Sequence, residues 1–420
     1  MEKPIRIKIV ILYAFIALVI ILAIDFYCMP AFNLDNKKFL ENLDNIKTSQ
    51  NIAPQRLYIN VWRNTKNEYV DSTMNGQDWN RWRNKYLKHI KTMEDANIAI
   101  NTMLMSLNDR YSRFLLPDLY TKQKAIVDSK ITGVGIMYNK TEDNVTVENV
   151  LDNSPAQKLG IKAGDEIIAI NDKEASKAPI DKILTSTDKK DTENVKIVIK
   201  RDNKIIETNI KKEEIPIKTM EYKITNDNIG IITLATIMGE NAIVDFVKII
   251  KETNDTKGLI IDLRDNFGGI LSNALEMANY MLDDEEILSI NGSKNDKLEI
   301  FASNENMFKK KEMVILVNRN TASAAEILAG TLKDNLGAVV LGENTYGKNS
   351  IQQIIPMQND TGLILTTLKY ILPSGDDIHN KGIKPTIYYK ENKKNNKKAK
   401  KDLMIEEAIK IINQVVKNPQ

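Results

Sequence analysis

The apolar run MVILV at residues 313–317 gives way, after a short polar turn, to Ser323-Ala324-Ala325-Glu326-Ile327-Leu328-Ala329-Gly330. The run is too short for a helix and shows no polar alternation, so it reads as a strand buried on both faces, and the second stretch reads as a helix. The same succession occurs upstream, with a strand at residues 229–234, a helix from about 241 to 253 and a strand at 258–263. Strands that alternate with helices confine this part of the chain to an α/β core.

A strand-to-helix turn puts the Ser323 hydroxyl near the free backbone N–H groups that begin the helix, donors able to hold an oxyanion. A serine hydroxyl is a weak nucleophile until a neighbouring base takes its proton. The chain has only two histidines, His89 and His379, and neither lies in a local Ser-His-Asp pattern, although such triads are assembled in space. Lys348, in the glycine turn Tyr346-Gly347-Lys348-Asn349-Ser350, is the better candidate. Its amine must be neutral to act, against an ordinary pKa of about 10.4, which calls for burial among groups that disfavour the ammonium form. The residues alone leave a second reading open. Ser323 then caps the helix, with Glu326 closing a capping box, and Gly347-Lys348 is a solvated turn.

Together with Asp262-Leu263-Arg264-Asp265-Asn266-Phe267-Gly268-Gly269, this stretch resembles the carboxyl-terminal processing peptidases, serine proteases of the S41 tail-specific family that carry a PDZ domain. The resemblance runs from about Asn60 to Gln420 with the motifs in the family's order. It implies that Ser323 is the nucleophile, that Lys348 is the general base and that Gln352 orients the lysine. It also implies an oxyanion hole made by backbone N–H groups of Ala324 and of Gly268 or Gly269. The family usually has proline before the paired glycines; here Phe267 stands there, which implies a change in loop rigidity with the glycine pair intact.

Composition bounds the remaining possibilities. A chain of 420 residues with 42% hydrophobic and 27% charged residues suits two or three folded domains plus tails. A net charge of +3 gives no case for nucleic acid as a partner, and no nucleic-acid-binding motif is present. The single cysteine, Cys28, rules out an intramolecular disulfide and cannot build a zinc site. No metal or organic cofactor is expected.

Residues 9–24 form an unbroken apolar run, preceded by Lys3, Arg6 and Lys8 and followed by Asp25. Extended to Met29, it is long enough for a bilayer core. The basic N-terminal side predicts that end in the cytoplasm and the remainder outside. No small-residue cleavage site follows, so residues 1–29 read as an uncleaved signal anchor rather than a secretory signal. Residues 30–117 read as a helical region, with Thr92 capping a helix. Its segment Asp109-Arg110-Tyr111-Ser112 resembles a family motif, and its aromatics read as core and docking residues.

Residues 118–212 resemble a PDZ domain of short strands and helices. Gly133-Val134-Gly135-Ile136 forms its carboxylate loop, followed by a short helix capped by Ser154 and a Gly164-Asp165 turn. Exposed N–H groups in such a loop catch a chain terminus while the adjacent strand edge pairs with the peptide. Residues 213–389 are expected as the peptidase core, with His379 structural. Residues 390–420 are expected as a lysine-rich linker and a helix, 403–416, capped by Asp402.

The expectation is an α+β multidomain protein: a transmembrane helix, a helical cap segment, a PDZ domain and an α/β serine-protease core. It acts as a membrane-anchored, extracytoplasmic endopeptidase on proteins with accessible C-terminal tails. Family members often form dimers or larger rings, so self-association is an expectation too. The rival readings are a non-catalytic PDZ adaptor and a chaperone that retains the protease fold.

Overall fold

The computed structural model describes residues 5–8 and 52–420, apart from 128–129, 142–143, 152, 179, 187–192, 217–218, 240, 294–296, 304–305, 391–400 and 418–420. The apolar run at 9–24 therefore lies outside the described residues. Among the described residues, no helix is long and apolar enough to cross a membrane. The chain divides into two compact units, Met1–Tyr120 with Thr219–Gln420, and Thr121–Lys218.

The larger unit is built on a sheet ordered Met220–Ile224, Ile229–Leu234, Gly258–Asp262, Glu312–Val317, Val339–Gly342, Ile387–Tyr388. All its pairings are parallel except the first, an antiparallel hairpin. Parallel strands joined by helical crossovers must be covered on both faces. On one face the helices Ala242–Thr253, Leu271–Asn279 and Ala324–Leu336 bury Phe246, Leu275 and Leu328 against Ile261 and Ile315. On the other, Met404, Ala408 and Ile412 of the helix Leu403–Lys417 pack on Ile231, Ile260, Val314 and Leu316. That explains why this C-terminal helix is amphipathic.

In this sheet Asp262 pairs with Leu316, so the loops leaving these two neighbouring strands emerge side by side. The crevice at the carboxyl ends of such strands is where open α/β sheets bind ligands. A second sheet is ordered Ile5–Lys8, Lys297–Phe301, Glu286–Asn291, Thr361–Ile371, Ser350–Met357, with Arg113–Leu115 also on Thr361–Ile371. That last pairing brings the end of the N-terminal helical region onto the body of the larger unit. The helical region itself, Pro54–Glu68 and Met93–Met105 with the short turns between, buries Tyr58, Trp62, Trp79 and Trp82 together with Leu363 and Leu365. Trp62 and Trp79 each donate an indole N–H to the other's carbonyl, at 3.0 and 3.1 Å, so these aromatics are core. Thr92 and Asp95 form the capping box that opens Met93–Met105.

The smaller unit has a sheet ordered Lys204–Lys211, Asn194–Arg201, Glu166–Ile170, Val145–Val150, Ile136–Lys140. Beside it is a three-stranded sheet of Glu213–Pro216, Lys130–Gly133 and Thr185–Ser186. Among the described residues Ile136–Lys140 is an edge strand of this sheet.

Candidate active site

Ser323 occupies the turn between Glu312–Val317 and the helix Ala324–Leu336, with φ 56° and ψ −122°. A non-glycine residue in this left-handed region costs of order 1–3 kcal/mol and persists only where its surroundings fix it. The surroundings are two cross-braced loops. Thr321 Oγ1 donates to the Leu263 carbonyl at 2.8 Å, and Ala322 N–H donates to the Asn266 carbonyl at 3.0 Å. Asp265 Oδ1 accepts from the side-chain amides of Asn318 and Asn320, at 2.9 and 2.8 Å. A sharp strained strand-to-helix turn of this kind presents a serine Oγ outward.

Ser323 and Glu326 stand as the capping box that the sequence suggests, but the Glu326 N–H makes no hydrogen bond of good geometry to the Ser323 hydroxyl. Glu326 N–H instead donates to the Ser323 main-chain carbonyl at 2.8 Å. The Glu326 carboxylate, with no exposure, accepts from four donors. Oε2 takes Ser323 N–H and Lys348 N–H, both at 2.9 Å, and Oε1 takes Gly347 N–H at 2.7 Å and Thr345 Oγ1 at 2.5 Å. One buried charge thus ties the backbone of the serine turn to that of the lysine turn. The capping-box reading had located Glu326 without this second half of its work, which no local spacing reveals.

Gly268 lies against the serine. A Cβ there would meet Ala322 O at 2.6 Å, Ala324 N at 2.9 Å and Ser323 Cβ at 3.0 Å, and its φ is +95°. No other residue fits. Gly268 N–H is already given to Asn266 Oδ1 at 2.8 Å, and Asn266, itself fully buried, is held through its Nδ2 by the Leu234 carbonyl. Among the described residues no acceptor is found for the N–H of Gly269 or of Ala324. Phe267, between these residues, is 71% exposed.

Lys348 is half-buried. Burial, with Arg113 and Arg110 nearby, pushes its ammonium below the ordinary lysine value, and Asp109 and Glu326 pull the other way. Its Nζ lies over the Tyr111 ring, 4.9 Å from the centroid. No hydrogen bond joins Nζ to Ser323 or to Gln352 among the described residues. The Gln352 amide donates instead to Ser350 Oγ and Thr366 Oγ1, at 3.0 and 3.1 Å. The structure therefore gathers Ser323, Ala324, Gly268, Gly269 and the Lys348 backbone, and leaves Gln352 directed at its own sheet. Thr366 N–H donates to Ser112 Oγ, whose hydroxyl donates to Asp109 Oδ2, so residues 109–113 form a wall of the site. The sequence located that segment as a motif; its place beside Lys348 comes from the pairing of Arg113–Leu115 with Thr361–Ile371.

In the smaller unit Val134 N–H donates to the Leu184 carbonyl at 3.0 Å, and Gly133 is paired with Thr185. Gly135, at φ +83°, has Ser154 Cβ 2.2 Å from where its own Cβ would be. Gly133, Val134 and Gly135 thus have backbone groups engaged within the unit, the last through its carbonyl, which accepts from Leu151 N–H at 2.9 Å.

Residues 228–389 match peptidase family S41, residues 132–211 match the PDZ domain, and residues 54–97 match the tricorn protease C1 domain. The chain is 31% identical over 342 residues to a carboxyl-terminal-processing protease of Picosynechococcus sp., covering 79% of this chain and 82% of that one. It is 30% identical over 316 residues to a carboxy-terminal processing protease of Bacillus subtilis, covering 73% of this chain and 65% of that one. Among solved structures it resembles the photosystem II D1 C-terminal processing protease, with a TM-score of 0.55 and 26% identity, covering 81% of this chain and 94% of that chain.

Proposed function

The chain belongs to peptidase family S41, the carboxyl-terminal processing proteases, and we propose that it is a serine endopeptidase in which Ser323 is the nucleophile and Lys348 the general base. Neutral Nζ accepts the Ser323 proton as Oγ bonds to the scissile carbonyl, and the ammonium then returns that proton to the departing amine nitrogen. The N–H groups of Ala324 and Gly269 receive the oxyanion, with Gly268 giving them room. Gln352 holds the lysine amine once it has moved toward the serine. The observation that carries this reading is the Glu326 carboxylate, which accepts from the backbones of both Ser323 and Lys348.

The smaller unit recognises substrate tails through residues 133–136 and the edge strand Ile136–Lys140. The apolar run at 9–24 anchors the chain with its protease outside the cell. Anchoring excludes the pairing of Ile5–Lys8 with Leu298–Phe301, because a bilayer would separate those strands. Labelling Lys3 and Lys8 in intact cells with a membrane-impermeant amine reagent decides between them: the anchored state predicts protection.

One observation favours a non-catalytic adaptor or chaperone: Nζ is not bonded to Ser323. Incubation with an unfolded protein separates the readings. Cleavage by the wild type and none by Ser323→Ala is expected; binding without cleavage by both would assign the protein to the second class.

A further inference from the structure

The Lys348 amine lies over the face of Tyr111, 4.9 Å from the ring centroid, and among the described residues its Nζ has no hydrogen bond or ion pair. An ammonium is drawn to the negative face of an aromatic ring, and a neutral amine is not. We propose that Tyr111 is a positioning residue for the base: its ring receives the Lys348 ammonium and holds it off Ser323, and loss of the proton releases the amine to the serine. This rests on the assignment of Lys348 as base.

The ring is held firmly enough for that task. Tyr111 N–H donates to Asp109 Oδ1 at 2.9 Å, and Arg110 Nη2 donates to the Tyr111 hydroxyl at 2.8 Å. The Arg110 guanidinium lies over the rings of Tyr111 and Tyr346, 4.9 Å from the Tyr111 centroid and 5.3 Å from that of Tyr346. Tyr346 belongs to the lysine's own turn, so the segment 109–111 grips the turn and the amine together.

The charged groups facing Lys348 act in both directions. Arg110 and Arg113 from the wall, together with burial, favour the neutral amine, and Asp109 and Glu326 favour the ammonium. The ring joins the second set without being a carboxylate, so it holds the resting cation yet leaves no competing acceptor once the proton is gone. Removing the π face while keeping an apolar wall leaves burial unopposed by the ring. Lys348 should then lose its proton at lower pH.

The test is acetylation of Lys348 in the intact protein as a function of pH, read by mass spectrometry of the peptide that carries it, beside the pH profile of kcat/KM. In Tyr111→Leu both midpoints are expected to fall by about 0.5–1 pH unit, the range an aromatic face contributes to an ammonium. Tyr111→Phe should keep both, and Tyr111→Trp, with the stronger face, should raise both. If Tyr111→Leu fails to fold, the sign of the shift in Tyr111→Trp decides. Unmoved acetylation midpoints in the folded variants, even with a lowered kcat, would mean that Tyr111 is structural and would overturn the proposal. Acetylation midpoints that move as expected in a protein whose proteolysis survives Lys348→Ala would instead overturn the base assignment and leave the ring's hold on the amine standing.

Discussion

At the scale of single residues, the proposed pairing of Ser323 with Lys348 implies that Ser323→Ala and Lys348→Ala should each lower kcat/KM by at least about 1,000-fold, and that the double variant should be little worse than either. Activity of folded Lys348→Ala within tenfold of wild type would remove the lysine from the mechanism. Glu326 makes a separate prediction. Glu326→Gln puts an amide N–H₂ where two donors now point, and should cost about 2–3 kcal/mol by denaturant titration. It should also lower kcat, because the serine and lysine turns lose their common tether. Glu326 marks where reading residues in order stops short. Ser-Ala-Ala-Glu announces a helix start, but the donors at 345–348 reach the carboxylate only after the chain has passed through the helix and the strand Val339–Gly342.

At the scale of elements, the C-terminal helix is tied to the loop that carries Gly268 and Gly269. Arg264 donates to Asp262 Oδ2 at 2.6 Å and to Asp402 Oδ2 at 2.7 Å, and Asp402 also accepts from the first N–H groups of Leu403–Lys417. Burial pushes the Asp402 carboxyl up, but Arg264 and the helix N–H groups outweigh it and hold the carboxyl below its usual range. A carboxyl depressed by folding contributes stability that is present above the unfolded value, about 3.9, and is lost as pH falls through the folded value. Protection of residues 403–417 against hydrogen exchange, after correction for the intrinsic rate, should therefore fall below about pH 4. Asp402→Asn should abolish that dependence and cost about 1–2 kcal/mol, the partial exposure of Asp402 keeping the loss modest. The strands and helices of this unit were legible from residues 229–263 and 313–330 because parallel strands are uniformly apolar and their helices are not. The antiparallel sheet was less so. Arg113–Leu115 is too short to announce itself, and its partner lies far along the chain in Thr361–Ile371.

At the scale of the whole molecule, the proposed tail recognition belongs to the smaller compact unit and the proposed cleavage to the larger, and one measurement tests the first. Amidating a substrate's terminal carboxylate should weaken recognition roughly tenfold or more, since charge-assisted hydrogen bonds are worth about 1.5–3 kcal/mol each. Unchanged cleavage would leave the smaller unit no part in recognition. Substituting Gly135 is a poor substitute for this experiment, because a side chain there collides with Ser154 inside the unit. The glycines of residues 133–136 marked the loop in the sequence, but the engagement of Val134 by Leu184 depends on a helix end that no motif encodes. The central claim, that Ser323 is a nucleophile driven by Lys348, is tested most directly by a serine-reactive phosphonate and peptide mass spectrometry. One adduct is expected, on Ser323, forming faster as pH rises through the lowered Lys348 value and absent in Lys348→Ala. An adduct on another serine, or one on Ser323 that forms equally fast without Lys348, would contradict that claim.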